Sequence, residues 1–95
     1  MKIPFDADEF ETRLERAANN LNDLMLGLPT RGHEYLRLDD KQWVVEVCLA
    51  KFRRSGVAKM NARLDVIERN ISITPGTREG INLVRGYLNE YEWSE

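Results

Sequence analysis

Cysteine, histidine and long apolar stretches are almost absent from this sequence of 95 residues. A single cysteine, Cys48, cannot form an internal disulfide and is typical of a protein from a reducing compartment. No stretch approaches the roughly 18 consecutive apolar residues that a membrane-spanning helix needs. The acidic residues that follow Lys2 do not fit a secretory signal, which requires an apolar core at that point. We therefore expect a cytoplasmic protein without membrane association.

Residues that bind metals or act as nucleophiles are too few and too scattered to complete a known motif. His33 lies in a glycine-containing loop without a neighbouring ligand, and Cys48 lies in the most apolar stretch, where small core residues are common. Asp39 and Asp40 are adjacent, but they precede an apolar run, as residues at the start of a helix do. The segment TPGTREG lacks the lysine and the spacing of a phosphate-binding loop. The sequence thus predicts no enzymatic activity, no cofactor and no metal site.

The clearest pattern in the sequence is a helix that begins after Asp6. Asp6 and Glu9 have the spacing of a capping box, and Phe5 and Phe10 have the spacing of a hydrophobic staple. Apolar residues then recur at intervals of three and four, as on one face of a helix. They are Phe10, Leu14, Ala17, Leu21, Leu24 and Leu28. Gly27 and the proline that follows predict the end of this helix.

Two interpretations are open for residues 34–49. The first is a helix that begins at Asp39, with Gln42 completing a capping box and Trp43 a hydrophobic staple, and that ends at Gly56. The second is a β-hairpin, because tryptophan and the three valines favour strands. The agreement of cap, box, staple and stop in one register favours the helix. Such a helix is apolar nearly all round and would lie at the centre of the fold.

Two further apolar stripes follow. Val57, Met60, Leu64, Ile67 and Ile71 predict a helix over residues 57–70. Thr74 as cap and Pro75 at the first helical position predict another helix, whose apolar stripe is Ile81, Val84, Leu88 and Tyr91. Its glycines, Gly76, Gly80 and Gly86, lower helix stability by about 1 kcal/mol each, so this helix needs packing partners.

These stripes together predict an all-α protein, a small compact antiparallel bundle of about four helices. With 42% hydrophobic and 32% charged residues, the composition is that of one globular domain over residues 1–95. The alternative is an α+β fold with a hairpin near residues 34–49.

The segment AKFRRSGVAKMNARL carries five cations and no acid. A helix-turn-helix centred on Gly56 fits it poorly, because Phe52 lies where a small residue is needed. The formal net charge of −2 also argues against nucleic acid as a partner. An acidic partner protein is the better match to such a basic helix junction.

The C-terminal segment YLNEYEWSE places three aromatic residues among acids. Aromatic side chains supply much of the binding energy in protein interfaces, but the same residues could instead close the core. We therefore expect a protein–protein interaction module, acting as an adaptor, inhibitor or assembly factor, of the kind found among accessory proteins of bacteria and phages. Its partner is another protein, a homodimer stays open, and the alternative is a nucleic-acid-binding regulator that uses residues 51–63. The candidate partner-binding residues are Lys51, Arg53, Arg54, Lys59, Arg63, Tyr87, Tyr91 and Trp93.

Overall fold

The structure, a computed structural model, describes residues 2–70 and 72–92. In chain order its elements are β1 (Ile3–Pro4), α1 (Ala7–Leu26), α2 (His33–Ser55), α3 (Val57–Glu68), α4 (Pro75–Leu88) and β2 (Tyr91–Glu92). The predicted all-α bundle is confirmed, and the hairpin alternative is wrong because α2 covers residues 34–49. Ile71, predicted as an apolar residue of α3, and Trp93, a candidate partner-binding residue, lie outside the described residues.

Helix α1 begins as its sequence predicts. The amide of Glu9 donates a hydrogen bond to Oδ1 of Asp6 at 3.0 Å, and the ring centroids of Phe5 and Phe10 lie 5.5 Å apart. The second half of the capping box is different, since the Glu9 carboxylate accepts a hydrogen bond from the hydroxyl of Tyr91. Local signals thus set where α1 begins, while Glu9 makes a contact with the opposite end of the sequence.

The apolar stripe of α1 departs from the predicted one near the end of the helix. Leu24 is 60% exposed, whereas the next residue, Met25, is 6% exposed and belongs to the core. The assignment of Leu24 to the core is therefore wrong. Beyond Leu21 the buried face continues at a spacing of four, which keeps Met25 directed at α2 and turns Leu24 to the surface.

Helix α2 begins seven residues earlier than predicted. Its N-cap residue is Gly32, which offers no side chain for capping, and Asp39 is an exposed residue inside the helix. The prediction of Asp39 as the cap is therefore wrong. The additional turns bury Leu38 and pack Tyr35 against the core, which stabilises a helix start that lacks a side-chain cap. The predicted end is confirmed at Gly56, whose φ of 89° lies in the left-handed region that favours glycine.

Helices α1 and α2 are antiparallel and joined by two sets of polar contacts. Near the middle of α2, Nε2 of Gln42 donates to the carbonyl oxygen of Ala18 at 3.2 Å. Near its end, the guanidinium of Arg53 forms ion pairs with Glu11, at 3.2 Å, and with Glu15. Because contacts late in α2 involve residues early in α1, the two helices run in opposite directions.

Helices α2 and α4 approach each other through glycine. A Cβ atom at Gly80 would lie 2.7 Å from Cβ of Val44 and 2.9 Å from the carbonyl oxygen of Lys41. At Gly76 a Cβ atom would overlap the backbone of Arg37. The two helices run in the same direction, since the earlier residue of α2 lies beside the earlier glycine. The glycines that weaken α4 are thus the residues that allow its backbone to contact α2.

Helix α4 begins with the predicted cap, as the amide of Thr77 donates to Oγ1 of Thr74 at 3.2 Å. The guanidinium of Arg85 in α4 forms ion pairs with Asp65, at 2.5 Å, and with Glu68, at 2.7 Å, and so joins α4 to α3. Tyr91, predicted on the stripe of this helix, lies beyond its end in β2. Strand β2 pairs in parallel with β1, in the register of Ile3 with Tyr91.

One core contains residues of all four helices. Its fully buried side chains include Phe10, Leu14, Val44, Val45, Cys48, Met60, Leu64, Ile81, Val84 and Tyr91. Cys48 is confirmed as a core residue, and its burial raises the pKa of the thiol to about 12, although nearby Arg63 lowers it slightly. None of the described helices combines the length and the apolar character that crossing a bilayer requires.

Candidate functional site

The five cations of the predicted basic junction do not form one group. Arg53 points to α1, where Glu11 and Glu15 neutralise it, so it joins two helices rather than facing a partner. Lys51, Arg54 and Arg63 are brought together around Val47 and Ala50 in a cleft of about 290 Å³ between α2 and α3, which we name the basic cleft. Lys59 is exposed one turn before Arg63 on α3, and therefore on the same side of that helix.

Among the described residues, no carboxylate compensates the charge of the basic cleft. Lys51, Arg54 and Arg63 form no ion pair with any carboxylate of residues 2–70 and 72–92, in contrast to Arg13, Arg37, Lys41, Arg53 and Arg85. None of the residues that line this cleft is acidic. Three cations held close together without counter-charges attract an anionic group from outside the chain.

A second cleft, the central cleft, adjoins the basic cleft and has a mixed lining, in which apolar side chains stand beside Arg63, Asn70, Ser72 and Thr77. Trp43 and Val66 line it together with Ile67 and Ile73, and Arg63 lies on the boundary between the two clefts. Trp43 is 47% exposed and Val66 is 57% exposed. The prediction of Trp43 as a staple residue of the helix start is wrong, because α2 begins well before it. A half-exposed tryptophan beside an exposed valine forms an apolar patch on the surface.

A third cleft, the acidic cleft, lies on the other side of Trp43. It has a volume of about 430 Å³, and Asp39, Asp40 and Glu46 supply its charges, without a lysine or an arginine in its lining. Asp40 accepts a hydrogen bond from Oγ1 of Thr74 at 2.7 Å, which fixes this carboxylate beside α4. No group of three His, Cys, Asp or Glu side chains in the described part of the chain is arranged to hold a metal ion.

The three clefts form one continuous surface, which we name the α2–α3 face. The acidic and central clefts share Trp43, and the central and basic clefts share Arg63. Along α2 the exposed residues Trp43, Ala50 and Arg54 follow the spacing of one side of a helix. The face therefore changes from negative to positive along α2, with apolar contact area between the two charges.

The aromatic residues predicted near the C-terminus serve mainly to close the fold. Tyr91 is 1% exposed, and its ring centroid lies 5.4 Å from that of Phe5. Its burial, followed by its hydrogen bond to Glu9, raises the pKa of Tyr91. The half-buried Tyr87 lies under the guanidinium of Arg13, whose Cζ is 4.3 Å from the ring centroid. This arrangement leaves little aromatic surface for a partner within the described residues of this segment.

Helix geometry applied to the sequence indicates that Trp43 lies on the exposed side of α2. If Val45 is placed on the core side of α2, Trp43 lies about 200° away around the helix, on the opposite side. The same rotation places Ala50 and Arg54 beside Trp43. This pattern was hidden because the predicted start at Asp39 left too few turns before Trp43 to establish which side of the helix is buried.

The α2–α3 face offers apolar area, a charge gradient and no assembled catalytic group. Neither histidine nor cysteine is among the described residues that line its three clefts. Comparison with protein-family models, with curated proteins and with solved structures finds no match for this chain.

Proposed function

We propose that this protein is a non-enzymatic protein–protein interaction module, acting as an adaptor, inhibitor or assembly factor, and that its α2–α3 face holds the partner. One observation carries the proposal: Trp43 and Val66, both about half exposed, line the same cleft. Tryptophan is among the residues that most often dominate the energy of protein interfaces. Covering an apolar patch of this kind removes it from water and favours association.

The charges around the patch support the same conclusion. Interfaces commonly combine an apolar centre with a polar rim, and the rim sets orientation and association rate. Here the rim is positive at Arg54 and Arg63 and negative at Asp39 and Glu46. A partner can therefore bind in one orientation only, since turning it round would bring like charges together.

Nucleic acid is the second candidate partner, because Lys51, Arg54 and Arg63 share a cleft that could bind phosphate. The acidic cleft argues against it. A nucleic acid strand that stacked on Trp43 would bring its phosphates towards Asp39 and Glu46, which repel them. A protein surface with charges of both signs has no such conflict, and protein is therefore the favoured partner.

Site-specific photocrosslinking in the native host tests the proposal. A benzoylphenylalanine residue in place of Val66 lies beside Trp43, while the same residue in place of the exposed Asn20 on α1 is the control. We expect irradiation to give a discrete protein adduct from position 66 and none from position 20. Equal adducts at both positions, or none at position 66, would refute binding at this face, and a nuclease-sensitive adduct would favour nucleic acid.

A further inference from the structure

We propose that the protein partner of the α2–α3 face is a second copy of this chain, bound about a two-fold axis with the two α2 helices antiparallel. This inference rests on the proposed function and names the partner of the same face. A two-fold interface brings one surface into contact with itself, so that surface must be self-complementary. The α2–α3 face meets this requirement, since its positive end would lie on the negative end of the other copy.

Two pairs of exposed positions along α2 show this complementarity. In an antiparallel pair centred near Val47, Asp39 of one copy lies opposite Arg54 of the other. Trp43 then lies opposite Ala50, so that the largest side chain of the face meets the smallest. Because the axis relates the two copies, each of these contacts occurs twice.

The two charged side chains that would meet across the two-fold axis have no ion pair with the described residues of their own chain. Asp39 and Arg54 are both exposed, and neither forms an ion pair with a described residue of its own chain. Two reciprocal pairs, with Lys51 beside each arginine, would neutralise both the acidic and the basic cleft. An antiparallel arrangement is required, because parallel helices would place Asp39 beside Asp39 and Arg54 beside Arg54.

The same arrangement covers the apolar side chains that α2 leaves exposed. Leu36 is 50% exposed and lies two turns before Trp43 on the same side of α2. In the antiparallel pair it would contact the start of α3, near Val57 of the other copy. The helical backbone of this face is already hydrogen-bonded within its helices, so packing of side chains, and not strand addition, is the mode of contact.

A charge-swap experiment tests the arrangement directly. The variant Asp39→Lys would place lysine against arginine in both contacts of a homodimer, and Arg54→Glu would place glutamate against aspartate. We expect each variant alone to dimerise about tenfold more weakly, or worse, in sedimentation equilibrium. Mixed together, the two variants should form a heterodimer of wild-type affinity, since lysine then meets glutamate and arginine still meets aspartate.

A control variant and the photocrosslinked adduct from position 66 distinguish failure of the dimer proposal from failure of the proposed function. Arg16→Glu changes the charge of α1 by the same amount outside the three clefts and should leave dimerisation unchanged. A wild-type chain that stays monomeric at high concentration, or a mixture that fails to form the heterodimer, overturns the inference. If position 66 then gives an adduct with another protein, the proposed function stands and only the second copy is refuted; if it gives none, both fail.

Discussion

Two glycines of α4 lie in opposite environments, and alanine at each position separates packing from helix propensity. At Gly80 a Cβ atom would lie 2.7 Å from Cβ of Val44 and 2.9 Å from a backbone oxygen of α2, whereas at Gly86 a Cβ atom would have no packing neighbour within 4 Å beyond the adjoining residues and backbone of its own helix. Alanine stabilises a helix interior by about 1 kcal/mol relative to glycine. At Gly80 this gain is opposed by overpacking, which costs about 1–3 kcal/mol, because both the side chain and the backbone of α2 must move.

We therefore expect Gly86→Ala to raise the free energy of unfolding by up to about 1 kcal/mol and Gly80→Ala to lower it by up to about 2 kcal/mol. In a domain of this size each kcal/mol shifts the melting temperature by about 4–8 °C, which thermal unfolding followed by circular dichroism resolves easily. The two variants thus differ in sign as well as in size. Equal stabilisation by both alanines would refute the close approach of α4 to α2.

Three other predictions follow from the same structure. In urea unfolding, Leu21→Ala should destabilise the fold by about 2–5 kcal/mol, because Leu21 is only 5% exposed. Leu24→Ala should cost under about 0.5 kcal/mol, because Leu24 is 60% exposed. Similar losses for the two variants would contradict the assignment of which side of α1 faces the core. Arg53→Glu should cost about 1 kcal/mol because it sets a third carboxylate beside two others, whereas Arg16→Glu, which breaks no ion pair with a described residue, should cost little. Raising the salt concentration should reduce the difference, and equal costs would contradict the ion pairs of Arg53. Burial raises the pKa of the Cys48 thiol from 9.0 to about 12, so its contribution to stability is complete below pH 9 and is lost as the pH rises towards 12. Between neutral pH and pH 10, the free energy of unfolding of the wild type should fall by about 1.4 kcal/mol relative to that of Cys48→Ala. Parallel pH profiles of the free energy of unfolding for the two proteins would refute this.

The parts of the fold that depend on residues close together in the sequence could be predicted from the sequence. The caps at Asp6 and Thr74 and the stop at Gly56 are made by contacts within a few positions, so the residue types suffice to locate them. The start of α2 could not be found in this way, because Asp39 and Gln42 mimic a helix start. Burial of Leu38 in the core overrides that local signal, and burial depends on the other helices.

The candidate face was predicted only in part, for the same reason. Charge alone indicated Lys51, Arg54 and Arg63, and the structure brings them together in one cleft. The sequence could not show that Arg53 is neutralised from α1 or that Trp43 is exposed, because both depend on which side of α2 each neighbour covers. Residue type indicates what a side chain can do, and packing decides whether it remains available.

The pairing of β1 with β2 also constrains the order in which the molecule folds. The amide of Ile3 donates to the carbonyl oxygen of Glu90 at 3.2 Å, which joins the two ends of the described chain. Contacts so distant in sequence form late, since the intervening chain must first be closed into a loop. During synthesis Phe5 emerges long before Tyr91, so the contact between these two rings cannot form until α4 has been made. We therefore expect the growing chain to present part of the Phe5 and Phe10 rings to chaperones, and to complete their burial only when β2 has been made.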